Sequence, residues 1–493
     1  MEYPVKTDRR TFLRRGAMGA GAAWTLSLQE LAARNGHRGP PVTSGVSPYG
    51  AVRPRRDETT GLELLKLPDG FRYWSYSWTG DEMSDGVRCP NLHDGMAVVD
   101  DWRSSDYEPA FDDDEKSWKE ESSRSGDRRD DDHGDRRPRS SRIVLVRNHE
   151  GDTGVPYVAN RPDITYAPTG TPTGGGGTTN LVFDTKRGKW LTSWSSLAGT
   201  IRNCAGGVTP WGSWLTGEET TLAGHGWAFD VGFRKGNTTP LVDMGRFSHE
   251  AMMVDPRSGY IYETEDAGDS GFFRFVPYRN GHPDQGGRLY MLAVKRHPNM
   301  DLGAYLPIGT RLDVRWVRIG DPSASVESCY AQGAAQGGAR FSRLEGAWWG
   351  DRTGYFLSTN GGSVGEGQVF EYDPDDETVK VIYDAPNATA VDNPDNMTVT
   401  PRGGLLLCED AAGNNFTEGE RLVGLTLHGK AFTFAMNNMV LTTSYSPAVP
   451  AGDYRQSEWA GACFSPEGNW LFVNIQTPGV TFAITGPWGR GPL

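Results

Sequence analysis

Residues 202–219 read RNCAGGVTPWGSWLTGEE. The second half, TPWGSWLTGEE, is a Pro/Gly turn followed by a short aromatic and aliphatic run suited to a strand, closed by Glu218 and Glu219. The same plan recurs along the chain. SRIVLVRNHE ends at Asn148, His149 and Glu150, and DPRSGYIYETEDAG ends at Glu263, Glu265 and Asp266. RTGYFLSTNGG ends at Asn360, TPRGGLLLCEDAAG at Glu409 and Asp410, and SPEGNWLFVNIQTPG at Asn474 and Gln476. The longest interval between these six strand ends crosses a loop-like region from Tyr278 to Gly338. Four-stranded sheets repeated radially form a β-propeller, whose innermost strands line a central channel, so that equivalent strand ends converge at one mouth. The expected fold is therefore all-β, a six-bladed β-propeller with loop insertions; a β-sandwich would also present turn-flanked strands with polar ends.

Composition agrees with this class. The 493 residues include 64 Gly and 16 Trp, and 11% are aromatic, which suits many short strands joined by glycine-bearing turns. The net charge of −13 argues against nucleic acid as the main partner and suits a chain that binds cations or is simply kept soluble. Five widely spaced cysteines without a CxxC pair do not make a disulfide framework, and at least one thiol is left over.

The N-terminal stretch Asp8–Gly16, DRRTFLRRG, places twin arginines before an apolar, Ala- and Gly-rich run from Ala17 to Leu28. This is the layout of a Tat export signal and implies the Tat machinery as a partner and a periplasmic or secreted destination. No other apolar run approaches the ~20 residues that span a bilayer. The chain divides into a signal at 1–34, a Pro-, Gly- and Arg-rich linker at 35–56, and one propeller domain at 57–493. A run of charged and serine residues at 112–142 interrupts that domain; it has too little apolar surface to offset its ordering entropy and reads as an unstructured surface insertion.

Several short segments carry candidate chemistry. Cys204 supplies a soft thiolate close to the hard carboxylates Glu218 and Glu219, the mixture suited to iron or zinc beside calcium. DNPDN, residues 392–396, puts Asp392 and Asp395 with two amides in one turn, and His249 and Glu250 begin another strand. In FSRLEGAWW, Arg343 and Glu345 lie two apart and so share a face of a strand, where the guanidinium could grip a phosphate and the carboxylate a metal. HDGM at 93–96 is a weaker instance. GGSVG at 361–365 matches GxSxG in letters, but the alternating EGQVFEYD that follows predicts a strand rather than the helix of a nucleophile elbow.

RNCAGGVTPWGSWLTGEE, GRFSHEAMMVD, YETEDAG followed by FFRFVP, RLEG, DNPDN and CFSPEGNWLFVNIQTPG stand in the order found in the PhoX-type alkaline phosphatases, which this chain resembles from about His93 to its C-terminus. The resemblance implies a Tat-exported six-bladed propeller, acting as a monomer, that hydrolyses small-molecule phosphate monoesters with two iron ions and several calcium ions. It implies that Cys204 ligates iron, that Glu345 is a further iron-site carboxylate and that Arg343 binds phosphate. Glu150, Glu219, His249, Glu250, Glu265, Asp266, Asp392, Asp395 and Glu409 would complete the iron and calcium shell. The chain departs from the family pattern at Gly217, where a second cysteine is common, and at Leu344, where a proline is. A calcium-dependent propeller lactonase or esterase, or a non-catalytic exported calcium-binding propeller, would use oxygen ligands without the thiolate.

Overall fold

The computed structural model describes residues 46–101, 141–158, 161–233, 237–410 and 418–493. The expected signal, the linker up to residue 45 and the charged insertion up to residue 140 lie outside the described residues. Within them the chain is built of antiparallel sheets, with Cys329–Ala334 as the single α-helix. No helix there is long and apolar enough to cross a membrane.

Six strands organise the fold: β1 (His93–Asp101), β2 (Asn203–Val208), β3 (His249–Val254), β4 (Leu344–Trp349), β5 (Pro394–Val399) and β6 (Trp459–Phe464). Each packs against the next, and β6 packs back on β1, which closes a ring. Each is also the first strand of an antiparallel sheet that extends outward. The arrangement is all-β and propeller-like, as the repeat predicts.

The polar strand ends read from the sequence belong to the second strands, one step out from the ring. Their mouth is nevertheless the same, because antiparallel pairing sets the end of each second strand beside the start of its inner partner: His149 opposite His93, Glu218 opposite Asn203, Glu265 opposite His249, Ser358 opposite Leu344, Glu409 opposite Pro394 and Ile475 opposite Trp459.

One reading of the chain needs correction. The region from Tyr278 to Gly338 is not loop throughout; it contains strands Gly287–Val294 and Arg311–Arg318 and the helix. In RLDVRWVR the alternation holds from Arg311 to Arg315, with Arg311, Asp313 and Arg315 exposed and Leu312 and Val314 buried, the period-two signature of a strand with one buried face. Charged residues on the solvent face mask its apolar half. This strand pairs through residues 311–313 with Thr378–Asp384, joining the sheets of β3 and β4 into one of nine strands.

The ring is also closed at its seam by chain ends. Arg72–Tyr76 pairs with Val480–Thr485, so an early segment completes the sheet that β6 begins. Closure removes two free edges that would otherwise template aggregation. Between this sheet and the β1 sheet, Phe183 packs edge-on to Trp470 and Phe472 with centroids 4.7 and 5.1 Å apart. Near the mouth, packing requires small residues. A Cβ on Gly461 would lie 2.4 Å from the Asp94 carbonyl, and φ there is +64°. A Cβ on Gly346 would lie 2.8 Å from both the Asp395 carbonyl and the Met397 nitrogen. Because these neighbours are backbone, Gly346→Val should cost ~1–3 kcal/mol and lower the midpoint of thermal unfolding, measurable by circular dichroism; an unchanged midpoint would contradict the tight approach of β4 to β5.

Candidate metal centre

All six inner strands carry a register irregularity within their first residues, between positions 93 and 96, 203 and 206, 249 and 252, 344 and 347, 394 and 396, and 460 and 463. A bulge bends a strand and re-aims its side chains. The second residue of five of these strands is Asp94, Cys204, Glu250, Glu345 and Asp395; in β6 it is Ala460, with Glu458 just before the strand. Sheet geometry thus delivers one acidic or thiol group per strand to a common centre.

Two groups of ligand atoms result, each with its atoms within 4.8 Å of one another: Asp94, Glu150 and Cys204, and Cys204, Glu250 and Asp395. Cys204 belongs to both. Its thiol donates to Asp94 Oδ2 at 3.5 Å. Asn148 places the β2 backbone by donating to the Cys204 and Ala205 carbonyls at 3.1 and 2.8 Å, and Asn474 donates to the Asp94 carbonyl at 2.6 Å.

Two arginines stand at the rim. Arg343 donates through Nε and Nη2 to the two oxygens of Asp266 at 2.8 and 3.0 Å, and through Nη2 to Glu345 at 2.6 Å. Arg202 joins Glu150, at 3.2 Å, to Glu219. Both have positive φ, +43° and +53°, a conformation unusual for a non-glycine residue and a sign of local constraint. Gln476 donates to Glu150 and to Glu458, at 2.8 Å each.

A family model for alkaline phosphatase PhoX matches residues 47–479. The chain belongs to the PhoX family. Among solved structures, Pseudomonas fluorescens PhoX in complex with vanadate, a transition-state analogue, is 16% identical over 90% of this chain and 99% of its own, with a TM-score of 0.58. A gluconolactonase from Xanthomonas campestris is 13% identical over 92% and 99% of the two chains, with a TM-score of 0.37. None of the curated sequences compared with the chain matches it. The first likeness supports the propeller-like fold, and family membership implies a phosphatase.

In this PhoX family member the residues singled out by sequence fall into two sets. Cys204, Glu150, Glu250 and Asp395 form the two groups above with Asp94; Arg202 bridges Glu150 to Glu219, and Arg343 links Asp266 to Glu345, which feels the charges of Asp395 and Glu250. The others are placed differently. His249 Nε2 donates to the Gly245 carbonyl at 3.1 Å, its Nδ1 lies 3.3 Å from Glu263, and its ring packs on Phe247. Glu409 is held by the buried Arg421 through bonds of 2.7 and 2.6 Å and accepts the Asp392 amide at 2.8 Å. Asp392 is buried, and together with burial its carboxylate pushes the neighbouring Glu366 upward. Glu265 accepts the Gly271 amide at 3.0 Å. Glu218, partner of Glu219 in the opening motif, braces the loop through His225 at 2.6 Å and the Ile201 and Gly226 amides at 2.9 Å each. Ser363 lies in a bend against Asp384, with the strand Gln368–Asp373 after it, as its context predicts.

Asp94, Asp410 and Glu458 complete the acidic lining and are not in the ligand set that the resemblance implies. Asp94 has a signal: HDGM, NCAGG, HEAM, LEGA and PDN align as strand starts with a ligand-type residue second. Glu458 breaks that register and is brought in by the fold.

The electrostatics suit a cation. Glu250 is fully buried and neither of its carboxylate oxygens has a hydrogen-bond partner among the described residues. Burial, then the charges of Asp395 and Glu219, push its carboxyl far up; burial and Asp395 do the same to Glu345, and burial and Glu150 to Asp94. Burial and Asp94 raise the Cys204 thiol. Burial pulls the guanidiniums of Arg343 and Arg202 down, but Glu345 and Glu219 outweigh it and both stay charged. Two arginines cannot neutralise this set, and a thiol beside so many oxygens fits a mixed soft and hard metal shell.

Burial raises Glu219 to about 9 from 4.5, Asp395 to about 8 from 3.8 and Glu265 to about 8 from 4.5. A carboxyl raised by folding stabilises the fold while protonated, fully so below its unfolded value, and that contribution disappears as the pH climbs through the folded value. Metal-stripped protein should therefore lose thermal stability progressively from about pH 4.5 to about pH 9, while metal-replete protein, whose ligands are deprotonated and paired, should not. Differential scanning calorimetry of both forms checks this. Under the same conditions Glu250→Gln should raise the midpoint of the stripped protein above wild type at pH 8 and lower metal content.

Proposed function

We propose that this chain is a metal-dependent phosphatase that hydrolyses phosphate monoesters at the mouth of a six-bladed propeller. It is exported by the Tat pathway, acts as a monomer in the periplasm or outside the cell, and carries two iron ions and several calcium ions. The observation that carries the reading is the pair of ligand groups sharing Cys204, next to an arginine clamp that still has a free donor edge.

Iron would be held around Cys204, Glu250 and Asp395 with Glu345 beside them, and calcium by the all-oxygen part of the shell around Asp94, Glu150, Glu219 and Asp266; the bound cations would neutralise phosphate oxygens and supply Lewis acidity. The chain's own contribution starts with Arg343. Asp266 and Glu345 occupy its Nε and Nη2, which leaves Nη1 to donate to a phosphate oxygen. Because both carboxylates are anchored on the propeller wall, the guanidinium is oriented before substrate arrives, so negative charge developing at phosphorus meets a donor already in place. Arg202 plays a corresponding part for Glu150 and Glu219, keeping two neighbouring carboxylates at the rim despite their repulsion.

Purified protein should contain iron and calcium by elemental analysis and cleave an aryl phosphate at alkaline pH. Arg343→Ala should reduce kcat/KM by ~10²–10³ with metal content retained. Cys204→Ser should lose iron and keep calcium; unchanged iron would favour an all-oxygen calcium propeller, and metal-replete protein without phosphatase activity would overturn the reading.

A further inference from the structure

A cleft of about 830 Å³ opens beside the mouth. It is bounded by the approach to β1, by the 446–450 loop and by the turn after the second strand of the β6 sheet. Leu92, Pro447, Ala448, Pro450, Tyr454 and Pro478 make its lining largely apolar, and among the described residues Arg88 is the one formally charged side chain in it, with Nη1 tied to the Gly80 carbonyl at 3.0 Å. Prolines and short side chains have few rotamers to lose, so the space is preformed. Its volume lies in the range of small-molecule sites.

Two residues that line the cleft are backbone neighbours of the metal centre. The Leu92 carbonyl accepts the Glu150 amide at 2.9 Å, and Leu92 stands two residues before Asp94. On the other wall Thr477 follows Gln476, the residue that holds Glu150 and Glu458. The ring order sets the direction. Arg343 precedes β4, three places round the ring from β1, so it faces the mouth from the far side. A phosphate gripped by Arg343 from that side would have the β1 and β6 rim, with the cleft beside it, opposite the clamp.

We propose that this cleft receives the alcohol portion of the ester and that the enzyme prefers aryl or bulky alkyl phosphates without a second charge. The inference rests on the phosphatase reading. An uncharged ring gains from leaving water for the proline and leucine wall, whereas a second phosphate or carboxylate would lose hydration along that wall and meet a counter-charge at one point alone, Arg88, whose Nη1 is tied to the Gly80 carbonyl.

The test is kcat/KM of wild type, Ala448→Trp and Tyr454→Ala on methyl, phenyl and 1-naphthyl phosphate, each expressed as variant over wild type so that the intrinsic reactivity of the ester cancels. Ala448 is exposed on a loop, so tryptophan there fills the cleft without entering the core. Ala448→Trp should lower the 1-naphthyl value ~10-fold, mainly through KM, and leave methyl phosphate nearly unchanged, which also reports a folded enzyme. Tyr454→Ala should weaken 1-naphthyl phosphate more than methyl phosphate. Equal ratios for all three esters in both variants would overturn the inference while leaving the phosphatase reading intact. Failure of metal-replete wild type to cleave any of the three would overturn both.

Discussion

Repulsion among buried acids is the constraint on which the structure turns. Asp94, Glu250, Glu345 and Asp395 are brought together at the centre of a ring of strands, with the Cys204 thiol between them and two guanidiniums at the edge. Gathering such a set without a counter-charge opposes folding, since each carboxyl must either stay protonated or repel its neighbours in a medium of low polarity. A propeller tolerates this because the cost falls at one end of the channel. The rest of each sheet is buried against its neighbours by aromatic and aliphatic side chains that are insensitive to the mouth.

The same geometry that creates the repulsion creates the site. Early bulges bend all six inner strands, five of which bring a ligand-type second residue to a common axis, and small residues such as Gly346 and Gly461 let successive strands approach until backbone meets backbone. The arginines then act as spacers: Arg343 holds Asp266 and Glu345 apart from each other, and Arg202 does so for Glu150 and Glu219. Their constrained backbones are consistent with a position chosen for the side chain rather than for local comfort.

The departures from the family pattern have physical counterparts. A Cβ on Gly217 would lie 2.4 Å from that of His249, so a cysteine there requires His249 to move; this chain instead keeps His249 folded onto Phe247 and Glu263. Where the family commonly has proline, the Leu344 amide donates to Ser270 Oγ at 3.4 Å, a bond proline could not make, and the leucine side chain is buried in the core between the β3 and β4 sheets. Both changes lie behind the candidate ligands rather than among them.

Sequence by itself determined the fold class and most of the centre. Turn, alternating strand and polar end repeat at fixed relation in SRIVLVRNHE and TPWGSWLTGEE, and local patterns of that kind are encoded within ten or so residues. Cys204, Glu250, Glu345 and Asp395 were legible as ligand-type residues in short motifs (RNCAGG, SHEAM, RLEG and DNPDN) that the family resemblance drew together, and Arg343 because it lies two residues from Glu345. The tertiary structure alone decided which acids face the axis. Glu218 and Glu219 are adjacent and chemically identical, yet opposite faces of one strand send the first to His225 and the second to Arg202. Glu409 matches the pattern but meets Arg421 from the neighbouring strand, and Asp94 and Glu458, 364 positions apart in sequence, become neighbours only when the ring closes. Ligand identity at this centre is a property of register and closure, which depend on strands far apart in the chain and are invisible in any one segment.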